Sequence, residues 1–286
     1  MFTKILYPTK FEEFSLPIFK SFICLKEGGL KEVVLLHVID KDILHTLHRS
    51  GFPLDEGQLI KSAQKQMDSY KDYLEPHNIK AKQKVVVGSV VSEIIKTSKI
   101  EDVSLIVAGR QRRNIIGELF IGSTTDRIIR QSPVPVLVAK FRILSEEPGE
   151  KAEQYCAQMF KKVLYPTDWS STAERVKELL PSLKAVGVSE IIAVHVIEPR
   201  TPLKESESSS YHMEVLGKEL KEMGLSVKTL LIEGKPYEEI IQLAMDEDVS
   251  LITMGTHGLG KIPGILWGSV SHRVVEYCEK PVLVVR

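Results

Sequence analysis

The octapeptide Phe2-Thr-Lys-Ile-Leu-Tyr-Pro-Thr9 returns as Phe160-Lys-Lys-Val-Leu-Tyr-Pro-Thr167, 158 positions later. A chain that repeats itself at this spacing is built from two copies of one folding unit. The same offset of 158 relates Leu36-His37-Val38-Ile39 to Val194-His195-Val196-Ile197. Further on, Gly122-Ser123 matches Gly268-Ser269 and Pro135-Val-Leu-Val138 matches Pro281-Val-Leu-Val284, now at an offset of 146. The first copy therefore carries 12 extra residues, the difference between the two offsets. They fall between residue 39 and the Val87-Gly88/Glu233-Gly234 match, in the stretch containing Leu44 to Leu59. Connections tolerate such insertions best. With 286 residues in all, each copy is long enough to bury a core of its own.

Within each copy, short β-branched runs alternate with longer amphipathic segments. In the first copy the runs are Glu32 to Val38, Lys84 to Val87, Leu105 to Ala108 and Val134 to Ala139. The runs read as apolar throughout, as strands do when helices cover both faces of their sheet. The expected fold is α/β: two tandem, doubly wound domains of five parallel strands each, Rossmann-like. The stretch Phe141 to Phe160 contains Glu146-Glu147-Pro148-Gly149-Glu150 and has no strand pattern. It places a linker at 142–159 between domains at 1–141 and 160–286.

Composition narrows the function classes. Thirty-eight basic residues balance 38 acidic ones, without blocks of like charge, so neither nucleic acid nor a membrane surface is expected as a partner. Three cysteines, Cys24, Cys156 and Cys278, stand far apart with no C-x-x-C. That argues against a disulfide framework or a zinc site, with Cys24 and Cys278 expected as core or boundary thiols. No leader-like amino terminus and no apolar run of membrane-spanning length is visible, so a cytoplasmic protein is expected.

In open parallel sheets, ligands sit beyond the carboxyl ends of the strands where strand order reverses. The second copy is glycine-rich there. Its fourth strand, Ser250 to Met254, runs into Gly255-Thr256-His257-Gly258-Leu259-Gly260-Lys261, then Pro263-Gly264, then Gly268-Ser269-Val270-Ser271 at the start of a helical pattern. Glycines let backbone N–H groups approach an anion, and a helix start adds unpaired donors.

The spacing Gly255-x-x-Gly258-x9-Gly268-Ser269, with Pro166-Thr167-Asp168 after the first strand and His195-Val196-Ile197 ending the second, resembles the ATP-binding branch of the universal stress protein family. The resemblance covers both copies. It implies an adenine nucleotide alpha hydrolase-like fold and a stress-response role regulated by bound ATP or AMP. It also implies particular roles. Asp168, flanked by Pro166 and Thr167, holds the ribose hydroxyls, and Val196 meets adenine through its backbone. Gly255, followed by Thr256, flanks the ribose. Amides of Gly258, Gly268, Ser269 and Val270, with the Ser269 hydroxyl and neighbouring Ser271, wrap the phosphates. A divalent cation, Mg2+ or Mn2+, often accompanies the triphosphate in such proteins. His257 and Lys261 stand in the loop, either touching phosphate or merely solvated.

The first copy departs from this pattern. Lys10 stands in place of the acid, and Arg112 replaces the second glycine in Gly109-Arg-Gln-Arg-Arg113. A degenerate nucleotide site is expected there, although Gly122-Ser123 and Arg110, Arg112 and Arg113 could still attract an anion. Asp168 alone could be a helix cap; its loss in the same copy that loses the loop glycine favours a ligand role. His37 and His195 occur in both copies and read as structural. The polar run Glu205 to Ser210 begins the second helix or forms a loop.

Three functions remain: a nucleotide-dependent regulator acting on an unknown client, a slow ATPase or phosphoryl- or nucleotidyl-transfer enzyme, and a module with empty sites. No Walker or kinase signature is present, and phosphoryl transfer needs more than a glycine loop, so binding is expected rather than catalysis. The resemblance also implies dimerisation, since single-domain members of the family commonly pair edge to edge through the terminal strand. Here Pro135 to Ala139 beside Pro281 to Val285 would form an internal pseudo-dimer, hiding two sheet edges, with a homodimer of whole chains as a further expectation.

Overall fold

The computed structural model describes residues 2–11, 15–20, 22–50, 55–110, 122–140, 158–258 and 267–286. Each copy contributes five strands. In the first they are β1 (Lys4–Pro8), β2 (Glu32–Asp40), β3 (Lys80–Gly88), β4 (Leu105–Arg110) and β5 (Val136–Lys140). Between them run α1 (Ser15–Lys20), α2 (Lys41–Arg49), α3 (Glu56–Leu74), α4 (Val90–Ile100) and α5 (Ser123–Gln131). The second copy has β6 (Lys162–Pro166), β7 (Glu190–Ile197), β8 (Val227–Glu233), β9 (Leu251–Gly255) and β10 (Val282–Val285). Its helices are α6 (Ser171–Leu183), α7 (Leu203–Glu222), α8 (Pro236–Asp246) and α9 (Ser269–Tyr277). The 12-residue excess is accounted for by α2, a helix with Asp40 as its amino-terminal cap, which has no counterpart before α7. The run Glu205 to Ser210 lies in the first turns of α7.

All ten strands form one sheet in the order β3-β2-β1-β4-β5-β10-β9-β6-β7-β8. Within a copy every pairing is parallel, as in Lys4 to Pro8 beside Glu32 to Leu36 and Lys162 to Pro166 beside Glu190 to Val194. The copies meet through an antiparallel pair, Val136, Leu137 and Val138 opposite Val284, Leu283 and Val282. The internal pseudo-dimer is thus present, and each domain's last strand covers the other's open edge.

Successive strand residues point to opposite faces, and both faces are buried. One face carries Ile5, Tyr7, Val33, Leu35, Val163 and Tyr165 against α3, α6 and α7; the other carries Leu6, Val34, Leu36, Leu164 and Ile192 against α4, α5, α8 and α9. Each layer runs unbroken across the β5–β10 seam, with Leu137 and Leu283 in one and Val136, Val138, Val282 and Val284 in the other.

Strand ends differ from the sequence reading by one or two residues at β4, β5 and β9, and by four at β3, which begins at Lys80 rather than Lys84. The cause is position. β3 and β8 are the outer strands, so they are only partly buried and admit polar residues, Lys80, Lys82 and Lys84 in β3 and Lys228 in β8, instead of being apolar throughout. The cysteine reading is also corrected: Cys24 is disulfide-bonded, whereas Cys278 is a buried core thiol as expected. Separation along the chain does not measure separation in the fold. Residues 142–157 of the expected linker, and Arg112, Arg113, Gly260, Lys261, Pro263 and Gly264, lie outside the described residues. No described helix is long and apolar enough to cross a membrane.

The lysines at the start of β3 have a structural task. Glu101, just past α4, accepts hydrogen bonds from Lys82 at 2.8 Å, Lys84 at 2.6 Å and Lys4 at 3.1 Å. Glu247 repeats the device with Lys162 at 2.8 Å and Lys228 at 2.5 Å. Lys82 and Lys84 hold the Glu101 carboxyl at about 2, against its burial, which pushes the other way. A carboxyl depressed on folding contributes stability above its ordinary value near 4.5 and loses it as pH falls toward 2. Glu101→Gln is therefore expected to lower stability at pH 7, with the gap to the parent narrowing as pH falls from about 4.5. Urea unfolding at stepped pH measures it, and a gap that stays constant would refute the assignment.

Candidate functional site

In each copy the strand order 3-2-1-4-5 reverses between the first and fourth strands. That opens a crevice at their carboxyl ends. In the second copy the crevice is a cleft of about 330 Å³, lined by the ends of β6, β7 and β9 and the starts of α6, α8 and α9. This volume is at the lower end of the range for small-molecule sites. Eleven of the twelve expected residues line it: Pro166, Thr167, Asp168, Val196, Gly255, His257, Gly258, Gly268, Ser269, Val270 and Ser271. The twelfth, Thr256, lies beneath the loop. Its N–H donates to Val285 O at 2.8 Å, and its carbonyl accepts from Gly268 N at 2.7 Å and Ser271 Oγ at 3.0 Å.

The turn after β6 aims the carboxylate. Trp169 N donates to Thr167 Oγ1 at 3.3 Å and Ser170 N to Asp168 Oδ1 at 3.1 Å, turns that polar side chains close on their own backbone. Ser170, rather than Asp168, caps α6 by accepting from Ala173 N. Trp169 is held at a φ of 63°, a conformation that disfavours a bulky side chain and marks a constrained turn. Its ring lies over His195, with centroids 5.2 Å apart. Asp168 Oδ2 faces Gly258 so closely that a methyl there would collide with it.

Val196 offers its backbone by strand geometry. Thr167 N donates to Val194 O on the β6 side. The N–H and C=O of one strand residue point to the same side, and residues two apart share it. Val196 therefore directs both groups past the last β6 pairing, Pro166 beside Val194, into the cleft.

The loop after β9 is tied down from below. Thr172 Oγ1 and Ser170 Oγ donate to His257 O at 2.5 and 3.0 Å, while Thr256 Oγ1 and His257 Nδ1 are 2.8 Å apart. Gly255 sits against Thr172, leaving no space for a side chain. Gly268 opens α9 with no side-chain cap. The first amides of α9 thus lack the capping partner most helices supply, which is the arrangement that receives anions.

Residues that the sequence reading did not single out complete the wall: Ser170, Ala173, Val194, Pro236, Ile240 and Met254. Proline at the first position of α8, directly after β8, was the available signal for one of them. The apolar ones look like ordinary core in sequence. His37 and His195 each bind the carbonyl at the end of the preceding turn, Thr9 O at 2.9 Å and Thr167 O at 2.8 Å. Burial lowers the pKa of His37.

The first copy reproduces the turn but not the cleft chemistry. Phe11 takes the place of Trp169, with φ 58°, its N–H 3.2 Å from Thr9 Oγ1 and its ring stacked on His37. Lys10 is exposed. Gly109, the counterpart of Gly255, faces the apolar Ile18 instead of a threonine hydroxyl.

A model of the universal stress protein family matches residues 1–140 and again 159–286. The chain belongs to the universal stress protein family. Universal stress protein MJ0577 of Methanocaldococcus jannaschii is 36% identical over 155 residues, which are 45% of this chain and 96% of that protein. A universal stress protein of Thermus aquaticus is 31% identical over 140 residues, 45% of this chain and all of that one. The crystal structure of a universal stress protein from Archaeoglobus fulgidus matches 98% of this chain and 95% of its own, with TM-score 0.74 at 23% identity. At that identity the likeness concerns fold, and it spans both domains.

The Thr172 hydroxyl anchors the stress-protein loop from α6. Thr172→Val keeps the shape and removes the donor, and is expected to cost about 1 kcal/mol. Amide exchange at residues 255–258 should accelerate; unchanged exchange there would count against the anchor.

Proposed function

We propose that this universal stress protein binds an adenine nucleotide, ATP or AMP, in its second domain and acts as a regulator. One observation carries the reading: Asp168, the backbone of Val196 and the uncapped start of α9 converge on a single cleft. Adenine would meet Val196 along the wall made by Pro236 and Ile240. The ribose hydroxyls would donate to Asp168, and the phosphates would accept from amides at Gly258, Ser269 and Val270; the Gly268 N–H, expected among them, is instead spent on Thr256 O at 2.7 Å. Each pairing suits the chemistry: a carboxylate only accepts, and a helix start only donates. The described lining offers a divalent cation one carboxylate, Asp168. Mg2+ or Mn2+ would therefore be held chiefly by phosphate oxygens and water. That supply of acids is short for phosphoryl transfer, which favours regulation over turnover. In the first domain, Lys10 for the acid and Ile18 against Gly109 leave a site we read as degenerate.

Nucleotide at about 100 times its dissociation constant should stabilise the protein by about 2.7 kcal/mol, a melting shift of several degrees. Asp168→Ala is expected to remove most of that shift, and Lys10→Ala to leave it unchanged. Nucleotide released from the purified protein, identified by chromatography, names the resident ligand. A melting curve unmoved by ATP and by AMP would overturn the proposal. Multiple turnovers per second, lost in Asp168→Ala, would replace it with an enzyme.

A further inference from the structure

The residue before Gly268 is a tryptophan, and it faces the other domain. Trp267 is 3% exposed, and its indole N–H has no hydrogen-bond partner among the described residues. A buried N–H without an acceptor weakens its own burial, so neighbouring groups must keep the ring in place. His272 of α9 meets it edge-on, with centroids 4.9 Å apart. Arg130 of α5, in the first domain, places its guanidinium 5.7 Å from the ring centroid. That guanidinium is itself fixed: Asp126 accepts from Arg130 Nε at 2.8 Å and Nη2 at 3.2 Å, and His272 Nε2 lies 3.5 Å from the same carboxylate. Arg286 Nη1 donates to Arg130 O at 3.1 Å, tying the end of α5 to the second domain.

The repeat shows why this contact is asymmetric. At the offset of 146, Asp126 corresponds to His272 and Arg130 to Glu276. Asp126 and His272 are thus the same position in the two copies, facing each other across the seam. Where the first domain presents Arg130 to the indole, a second copy of the second domain would present the carboxylate of Glu276. A ring face attracts a cation and repels an anion.

We infer that Arg130 of the first domain is a positioning residue for the second domain's phosphate loop, acting through Trp267 on the Gly268–Ser269 start of α9. The inference rests on the nucleotide reading above. Trp267 and Gly268 are adjacent in the chain, and Gly268 N is fixed to Thr256 O at 2.7 Å. A displaced indole therefore pulls on that bond and on the Ser269 and Val270 amides that follow it, which would meet the phosphates. The first domain, which has lost the acid and loop glycine of its own site, completes its neighbour's instead.

The test uses the full chain carrying Trp169→Phe, which leaves Trp267 as the sole tryptophan, since the chain has two; phenylalanine already occupies the matching position at Phe11. In this parent, Arg130→Ala is expected to weaken ATP binding, measured by calorimetry, about three- to ten-fold. Its Trp267 emission should shift to the red without nucleotide. Arg130→Lys, which keeps the cation, should recover part of both. Asp126→Asn, which frees the guanidinium, should move both the same way, and it carries the test if Arg130→Ala does not fold. Parent-like ATP affinity and emission in both Arg130→Ala and Asp126→Asn would overturn this inference alone. A parent, and a wild-type chain, that bind no ATP would overturn the nucleotide reading and this inference with it.

Discussion

Three residues of β5 pair antiparallel with three of β10, and much of the molecule's organisation follows from that short ladder. A doubly wound sheet of order 3-2-1-4-5 leaves its last strand at an edge, with a row of unpaired backbone groups that invites association. Joining two such edges back to back gives one sheet with a single pseudo-twofold axis. Because the pairing is antiparallel, the two crevices open on opposite ends of the sheet while α5 and α9 meet beside the axis. Residues at the same position of the repeat then face one another, as Asp126 and His272 do. Two separate chains would be forced into identical residues at each such position. A tandem chain is released from that constraint, and here the released positions carry opposite chemistry.

The two ends of the sheet have diverged differently. At the amino ends of the strands both copies retain a lysine-bound glutamate, Glu101 with Lys4, Lys82 and Lys84, and Glu247 with Lys162 and Lys228. These groups clamp the outer strand to the centre of each sheet half, and each half needs its own clamp. At the carboxyl ends only the second copy retains the acid and the glycine loop. The turn that would hold the acid survives in both, down to the positive φ at Phe11 and Trp169 and the histidine beneath. Backbone scaffold and side-chain chemistry are therefore separable here: the turn is kept where Lys10 replaces the acid.

This separation also explains what could be read from the sequence. The repeat and the five-strand rhythm were legible because apolar runs and turn residues act locally and occur twice, while the edge pairing was expected from the family resemblance. The placement of Gly255, Gly258 and Gly268 was legible because ligand clefts of such sheets lie at the carboxyl ends of the strands, where these glycines follow the fourth strand. Three things were not. The outer strand β3 hid its first residues among lysines whose partner, Glu101, lies in a different element. The apolar wall of the cleft, Val194, Ile240 and Met254, cannot be told from core by composition, since both are apolar and on the inner side of their elements. The bond at Cys24 depends on proximity in space, which wide spacing in sequence conceals.

Trp267 belongs to the same class of hidden feature. In the sequence it is one unspecified position of the nine between Gly258 and Gly268, and Arg130 is one charge on an amphipathic helix. Their relation exists only because the seam brings α5 against the start of α9. A glycine loop gains affinity for an anion only when its amides are held where the anion will sit, and loops by themselves are poorly held. The second domain anchors the far side of its loop internally, through Thr172 and Ser170 on His257 O. On the near side, Gly268 is tied to Thr256 O within its own domain, while the residue before it, Trp267, reaches Arg130 of the neighbouring domain. On the nucleotide reading proposed above, the first copy has a physical reason to remain attached: it supplies an edge strand for the sheet and, through Arg130, a cation where a duplicate of the second copy would place Glu276.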